Sequence, residues 1–246
     1  MATFILIHGA WQGGWCWERI TPLLETEGHR VFAPDLPGMG QDPTPLMEIT
    51  LDRWVQFVSD LLRQQKEKVI LVGHSRGGLI ISQVAEKLPN HILSLVYVAA
   101  ILVPHGGTLI SALQQHGGAP LELTFSADNS TSIIAPATAA DALYNTTPEP
   151  WLARALSLLG AEPMISFQTP LTLSEDNFGR VPRIYIECLQ DKAIPIATQR
   201  GMTSEMPCLR VVALDTDHSP FYSAPEELAT QLIDLAGLSE STELAD

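Results

Sequence analysis

The chain has 246 residues, 28 acidic and 14 basic, giving a formal charge of −14; 46% are hydrophobic and 17% charged. This apolar content excludes intrinsic disorder, and the length suits one large domain or two small ones. The acidic balance disfavours nucleic acid and anionic membranes as partners, since both select Lys and Arg.

Short apolar runs alternate with helical patterns, the mark of a parallel sheet covered by helices and hence of an α/β fold. Phe4–Ile7 reads as a first strand. A helix follows over Trp17–Thr26, with Pro22 limiting it to a short or irregular one. Val31–Ala33 is a second strand, ended by Pro34-Asp35. Leu51, Trp54, Val55, Val58, Leu61 and Leu62 recur at helical spacing and predict an amphipathic helix over 51–64. Lys68–Val72 is a third strand, almost wholly apolar, as burial on both faces requires. A helix over 76–88 and a buried strand over Ile92–Ala99 come next.

The rhythm then breaks. Residues 104–179 carry Gly106-Gly107, Gly117-Gly118 and several prolines, and predict an insertion with its own secondary structure, because a bare loop of that length is implausible. Alternation resumes with a strand Arg183–Cys188, a helix Ala197–Met206, a strand Leu209–Leu214 and a helix Pro225–Ala236. The acidic tail from Leu238 to Asp246 is expected to fray. The core is thus expected over 1–103 and 180–246, with the insertion between. The longest nearly apolar run, Ile92 to Val103, is too short to span a membrane. No basic stretch precedes the apolar N-terminal residues, so a cytoplasmic protein is expected. Cys16, Cys188 and Cys208 lie far apart with no metal-ligand spacing, and read as buried free thiols; no metal site is expected.

Gly73-His74-Ser75-Arg76-Gly77 is a G-x-S-x-G sequence lying between a predicted buried strand and a predicted helix. In that context it reads as a nucleophile elbow: the sharp strand-to-helix turn lifts the Ser75 hydroxyl above the sheet. A serine needs a base to take its proton, and in this arrangement an acid and then a histidine should follow, each after a later strand. Asp191 follows the strand Arg183–Cys188, and His218 follows Leu209–Leu214. Ser75, Asp191 and His218 are therefore the candidate catalytic residues. His8, at the end of the first strand, is the rival histidine; Asp215, Asp217 and Asp35 are the rival acids, Asp215 foremost. The small residues in His8-Gly9-Ala10-Trp11-Gln12-Gly13-Gly14 let a loop approach the serine, so the backbone N–H groups of Ala10 and Arg76 are the candidate oxyanion donors.

The set His8-Gly9-Ala10, Gly13-Gly14-Trp15-Cys16-Trp17, Asp35-Leu36-Pro37-Gly38, Gly73-His74-Ser75-Arg76-Gly77-Gly78, Gln190-Asp191-Lys192 and Asp217-His218 resembles the α/β-hydrolase superfamily. Within it, the chain resembles the branch of plant methylesterases and hydroxynitrile lyases with their bacterial esterase relatives, from about Phe4 to Ala236. The resemblance implies a cap over 104–179, a buried pocket between cap and sheet, homodimers and no cofactor. It also shows departures. The lyases carry threonine where this chain has Gly9, and lysine directly after the histidine, where this chain has Ser219. The plant esterases usually have leucine after the nucleophile; here Arg76 stands there, with a side chain expected to reach solvent or an acidic neighbour.

The expected activity is hydrolysis of a small or medium hydrophobic carboxylic ester through an acyl-enzyme. Trp11, Phe125, Trp151 and Phe167 are candidate pocket residues, the last three equally suited to core packing. An amide or carbamate hydrolase with the same triad is the alternative, ahead of a hydroxynitrile lyase or a ligand sensor on the same fold.

Overall fold

The computed structural model describes residues 1–243, with side chains through residue 237. The chain enters through β1 (Thr3–Ile7), makes a tight 3-10 turn at Gly14–Trp17 and forms α1 (Ile20–Thr26) before β2 (Arg30–Phe32). Pro22 lies in the first turn of α1, where its missing N–H has no helical acceptor in any case. After α2 (Leu51–Arg63) come β3 (Val69–His74), α3 (Gly77–Lys87) and β4 (Ile92–Val98). Thr50 caps α2 by accepting from the Arg53 N–H at 3.1 Å, and Leu51, Trp54, Val55, Val58 and Leu62 form its buried face.

Between β4 and the next strand of the main sheet lie α4 (Leu109–His116), β5 (Leu123–Phe125), β6 (Thr131–Ile134), α5 (Pro136–Ala142), α6 (Trp151–Leu158), β7 (Glu162–Pro163) and α7 (Ile165–Gln168). The main sheet resumes with β8 (Arg183–Cys188), followed by α8 (Ile196–Glu205), β9 (Arg210–Leu214), α9 (Pro220–Ser223) and α10 (Pro225–Glu243). The helix expected to end near Ala236 thus continues to Glu243 instead of fraying from Leu238; residues 244–246 lie outside the described residues.

Six strands form one parallel sheet in the order β2-β1-β3-β4-β8-β9. β1 and β3 are buried along their whole length and β4 nearly so, as expected of strands covered on both faces. β5, β6 and β7 form a separate antiparallel sheet within the insertion. Cys16 and Cys188 are buried free thiols, whereas Cys208 is only partly covered. Among the described residues, no helix is long and apolar enough to cross a membrane.

The strand order positions the site. From β1 the chain turns to one side to make β2; from β3 it turns to the other side to make β4. The loops after β1 and β3 therefore diverge at their carboxyl ends and leave a crevice, the place where open α/β sheets bind ligands. Ile7 pairs with Gly73, so His8 and His74 leave the sheet side by side.

The end of the insertion is anchored to α3 by one carboxylate. Glu86 accepts from the Ser174 hydroxyl at 2.7 Å, the Ser174 N–H at 2.8 Å, Asn177 Nδ2 at 3.0 Å and the Phe178 N–H at 3.2 Å. Burial pushes this carboxyl up, yet the four donors together hold it below its ordinary 4.5. A depressed carboxylate stabilises the fold above its unfolded pKa, and the contribution fades as pH falls through the folded one. Glu86→Ala should cost about 2 kcal/mol at pH 7 and lower Tm by about 4–8 °C. Thermal unfolding followed against pH should show the gap from wild type closing below about pH 4.5.

Candidate active site

Ser75 lies between β3 and α3 with φ +52°, in the left-handed region that side chains normally avoid. Its backbone is locked there: the N–H donates to the Val98 carbonyl at 3.2 Å, and its own carbonyl accepts from Gly78 at 3.1 Å and Ile101 at 3.0 Å. The turn is close to other backbone. A methyl group at Gly78 would stand 2.1 Å from the Ile101 carbonyl oxygen, and one at Gly77 2.9 Å from that of Ile7. The sharp strand-to-helix turn expected from sequence is thus present, and strained backbone of this kind persists only where its surroundings over-determine it.

His218 donates from Nδ1 to Asp191 Oδ2 at 2.6 Å, with both side chains almost fully buried. That donation fixes the tautomer of the neutral ring and leaves Nε2 unprotonated. Asp191 is itself held. Its Oδ1 accepts from the N–H groups of Ala193 and Ile194, both at 2.8 Å, and its Oδ2 accepts from Gln199 Nε2 at 3.3 Å. The His218 loop is tied to the elbow: its carbonyl accepts from His74 Nε2 at 2.7 Å, and the His74 and His218 rings lie 4.7 Å apart. Burial, followed by the neighbouring His218, keeps the His74 imidazole well below the usual histidine pKa, so His74 is a neutral strut.

Each rival is committed elsewhere. His8 is fully buried, donates from Nδ1 to the Gly9 carbonyl at 2.9 Å and accepts the Leu36 N–H on Nε2 at 3.2 Å. Burial, with Arg76 second, lowers its pKa to about 3. Asp215 is exposed and accepts from Gln190 at 2.9 Å. Asp217 is buried but occupied by Thr146, Thr147, Ser219 and Ser223. Asp35 accepts from the Gly14 and Gln41 N–H groups. Asp191 alone of the four acids carries His218.

Among the described residues, no hydrogen bond within the chain engages the N–H of Ala10 or of Arg76. The next residue, Trp11, adopts φ +60° and is pinned to the insertion: its N–H donates to Glu162 Oε2 at 3.1 Å, its carbonyl accepts from Gly160 at 2.8 Å, and its indole N–H donates to Ser132 at 3.2 Å. Arg76 is fully buried and meets Glu162, its Nε 2.9 Å from Oε1, so the expected acidic neighbour is a residue of the insertion. Burial pushes the Glu162 carboxyl above its ordinary value, against the pull of Arg76 and of the Trp11 N–H.

The four candidate pocket aromatics separate. Trp11 and Phe167 are both buried and pack edge to face with centroids 6.1 Å apart. Phe125 is 47% exposed on β5, so it does not line a buried pocket. Trp151 is taken up in a stack with Tyr222 at 5.2 Å, with the Arg19 guanidinium over its ring at 4.9 Å; its role is docking α6 onto the core. Sequence reading missed Gln199 and Glu162, and named Asp217 only as a rival acid, without its hold on Thr146 and Thr147. All three are polar groups at buried positions, a signal visible only once burial is known.

The alpha/beta hydrolase family model matches residues 4–231. The chain belongs to that family. It is 35% identical to a pyrethroid hydrolase of Sphingobium wenxiniae over 94% of this chain and 86% of the relative. It is 34% identical to methylesterase 1 of Arabidopsis thaliana over 95% of each. Among solved structures, tomato methylketone synthase I superposes with a TM-score of 0.87 at 26% identity, covering 97% of this chain and 98% of the other. The methylesterase branch of the hydrolases, expected from the motifs, is thus the chain's own.

The choice of acid is open to a direct check. A 2.6 Å bond to a buried carboxylate should give the His218 Nδ1 proton a strongly deshielded proton NMR resonance. Asp191→Asn should abolish that resonance and Asp215→Asn should leave it in place; the reverse pattern would overturn the pairing.

Proposed function

We propose that the protein is a serine hydrolase of small or medium hydrophobic carboxylic esters. The observation that carries this reading is the buried His218–Asp191 pair, hydrogen-bonded through the His218 carbonyl onto the elbow that presents Ser75. Ser75 attacks the ester carbonyl while His218 Nε2 takes its proton. The charge that develops on the carbonyl oxygen falls to the N–H groups of Ala10 and Arg76, which no acceptor among the described residues uses. His218 returns the proton to the leaving alcohol, and Asp191 stabilises the imidazolium formed in between. Water activated by His218 then cleaves the acyl-enzyme.

Residues 104–179 act as the cap, fastened to the loops after β1 and β9 through Glu162, Thr146 and Thr147. A capped entrance favours small molecules over peptides. Trp11 and Phe167 supply an apolar wall beside the oxyanion loop. The methylesterase relatives favour esters over amides or carbamates. Lyase chemistry is disfavoured on two counts. Ser219, not an ammonium, follows His218. A Cβ at Gly9 would stand 2.8 Å from His74 Nδ1 and 2.9 Å from Ser75 Cβ, leaving no room for the lyases' threonine.

A panel of p-nitrophenyl ester, thioester, amide and carbamate substrates tests the proposal. Short-chain esters should be turned over fastest, and Ser75→Ala should remove nearly all of that turnover while far-UV circular dichroism stays unchanged. Asp191→Asn should lower kcat by about 10³–10⁴, less than loss of Ser75. Wild-type turnover by Ser75→Ala would overturn the mechanism.

A further inference from the structure

A buried ion pair next to a nucleophile needs a reason. Removing two charges from water is costly, and an apolar pair of similar volume is often as stable or more so. Leucine, the usual residue of the plant esterases at position 76, would avoid that cost. Yet Arg76 and Glu162 are both wholly buried, and among the described residues neither Arg76 Nε, which meets Glu162 as an ion-pair contact only, nor Nη1 makes a hydrogen bond. The Trp54 ring, 4.1 Å from the guanidinium carbon, partly offsets the charge.

Apart from a 3.5 Å donation from the Ser166 hydroxyl to Glu162, the other contacts of the pair converge on one residue. Arg76 Nη2 donates to the Gly9 carbonyl at 2.9 Å, and that carbonyl also accepts from His8 Nδ1 at 2.9 Å. The Gly9 carbonyl and the Ala10 N–H belong to one planar peptide unit, so fixing the first aims the second. Glu162 Oε2 accepts the N–H of Trp11, which belongs to the next peptide unit. The cation thus holds the peptide before Ala10, and the anion holds the peptide after it. The link also holds Trp11 in its left-handed conformation, which a bulky residue does not adopt unaided.

We propose that Arg76 and Glu162 are positioning residues for the oxyanion hole: together they clamp both peptide units around Ala10 and couple the aim of its N–H to the seating of the cap. Arg76 serves the hole twice, once with its own backbone N–H and once by setting the Ala10 peptide through its side chain. A cation on the Gly9 carbonyl also polarises the peptide, making the Ala10 N–H a stronger donor. The pair would thereby favour the charged transition state over the neutral ester. This role rests on the hydrolase reading given above.

Removing one partner alone would strand a buried charge, so the test is the double variant Arg76→Leu/Glu162→Gln, in which Gln retains an acceptor for the Trp11 N–H. Active sites are counted by fluorophosphonate titration, and kcat and KM are measured on p-nitrophenyl acetate. The folded double variant should lose at least about tenfold in kcat, short of the 10²–10³ that outright loss of a donor costs, with KM within about twofold of wild type. Binding of a trifluoromethyl ketone, whose adduct places an oxyanion in the hole, should weaken by the same factor. A merely structural clasp would lower Tm and the titrated fraction but leave kcat per active site unchanged, and that result would overturn the proposal. Should the double variant fail to fold, Arg76→Lys keeps the charge but not the rigid fork that reaches Glu162 and Gly9 together. It should show the same fall in kcat, and an unchanged kcat would again overturn the proposal. Ser75-dependent turnover of the wild type is measured first. Its absence would count against the hydrolase reading, whereas an unchanged kcat in the variants counts only against the positioning role.

Discussion

Between Gly73 and Gly78 the backbone must leave a buried strand, turn at Ser75 and enter a helix while passing within van der Waals distance of two other segments. That steric constraint dictates much else. It forces Ser75 into φ +52°, which survives only because Val98, Gly78 and Ile101 hold its amide and carbonyl. It makes the helix start directly beneath the hydroxyl, where unpaired N–H groups favour negative charge. It also leaves His74 beside the β1 loop on one flank and beside the His218 carbonyl on the other, so the parts of the site are registered against one buried imidazole.

Electrostatics in the site follow burial with few exceptions. His8 and His74 are buried without a carboxylate and stay neutral, which suits hydrogen-bonded struts. His218 differs by having Asp191 against Nδ1, the arrangement that lets an imidazole accept charge transiently. Four acids lie in nearby loops, yet each has a separate set of donors, so their duties do not overlap. The insertion is integrated in the same way. Asp217 secures it beside His218, and Glu162 secures it beside Ala10.

The parallel sheet was legible because its central strands are buried on both faces and its edge strands are still largely apolar: Arg183–Cys188 has the expected bounds, and β1, β3, β4 and β9 differ from expectation by no more than two residues. The placement of Ser75, Asp191 and His218 in loops at one end of the sheet was legible because each sits just past an apolar strand. The insertion was not. Its strands are two to four residues long and its helices four to eight, too short for periodicity to register. Phe125 and Trp151 look alike in sequence; only their placement shows one exposed on a hairpin and the other stacked on Tyr222. The Arg76–Glu162 pair joins residues 86 apart, and the insertion also offers Glu122, Asp128, Asp141, Glu149, Glu175 and Asp176, so nothing short of three-dimensional placement selects the partner.

If the strained turn exists to present a nucleophile, substrate carbon should become bonded to it. Rapid acid quench during turnover of a p-nitrophenyl ester, followed by peptide mapping by mass spectrometry, reads this directly. The expected result is one acyl group per chain, located on Ser75. An acyl group on another residue, or steady wild-type turnover with no covalent adduct at Ser75, would contradict it.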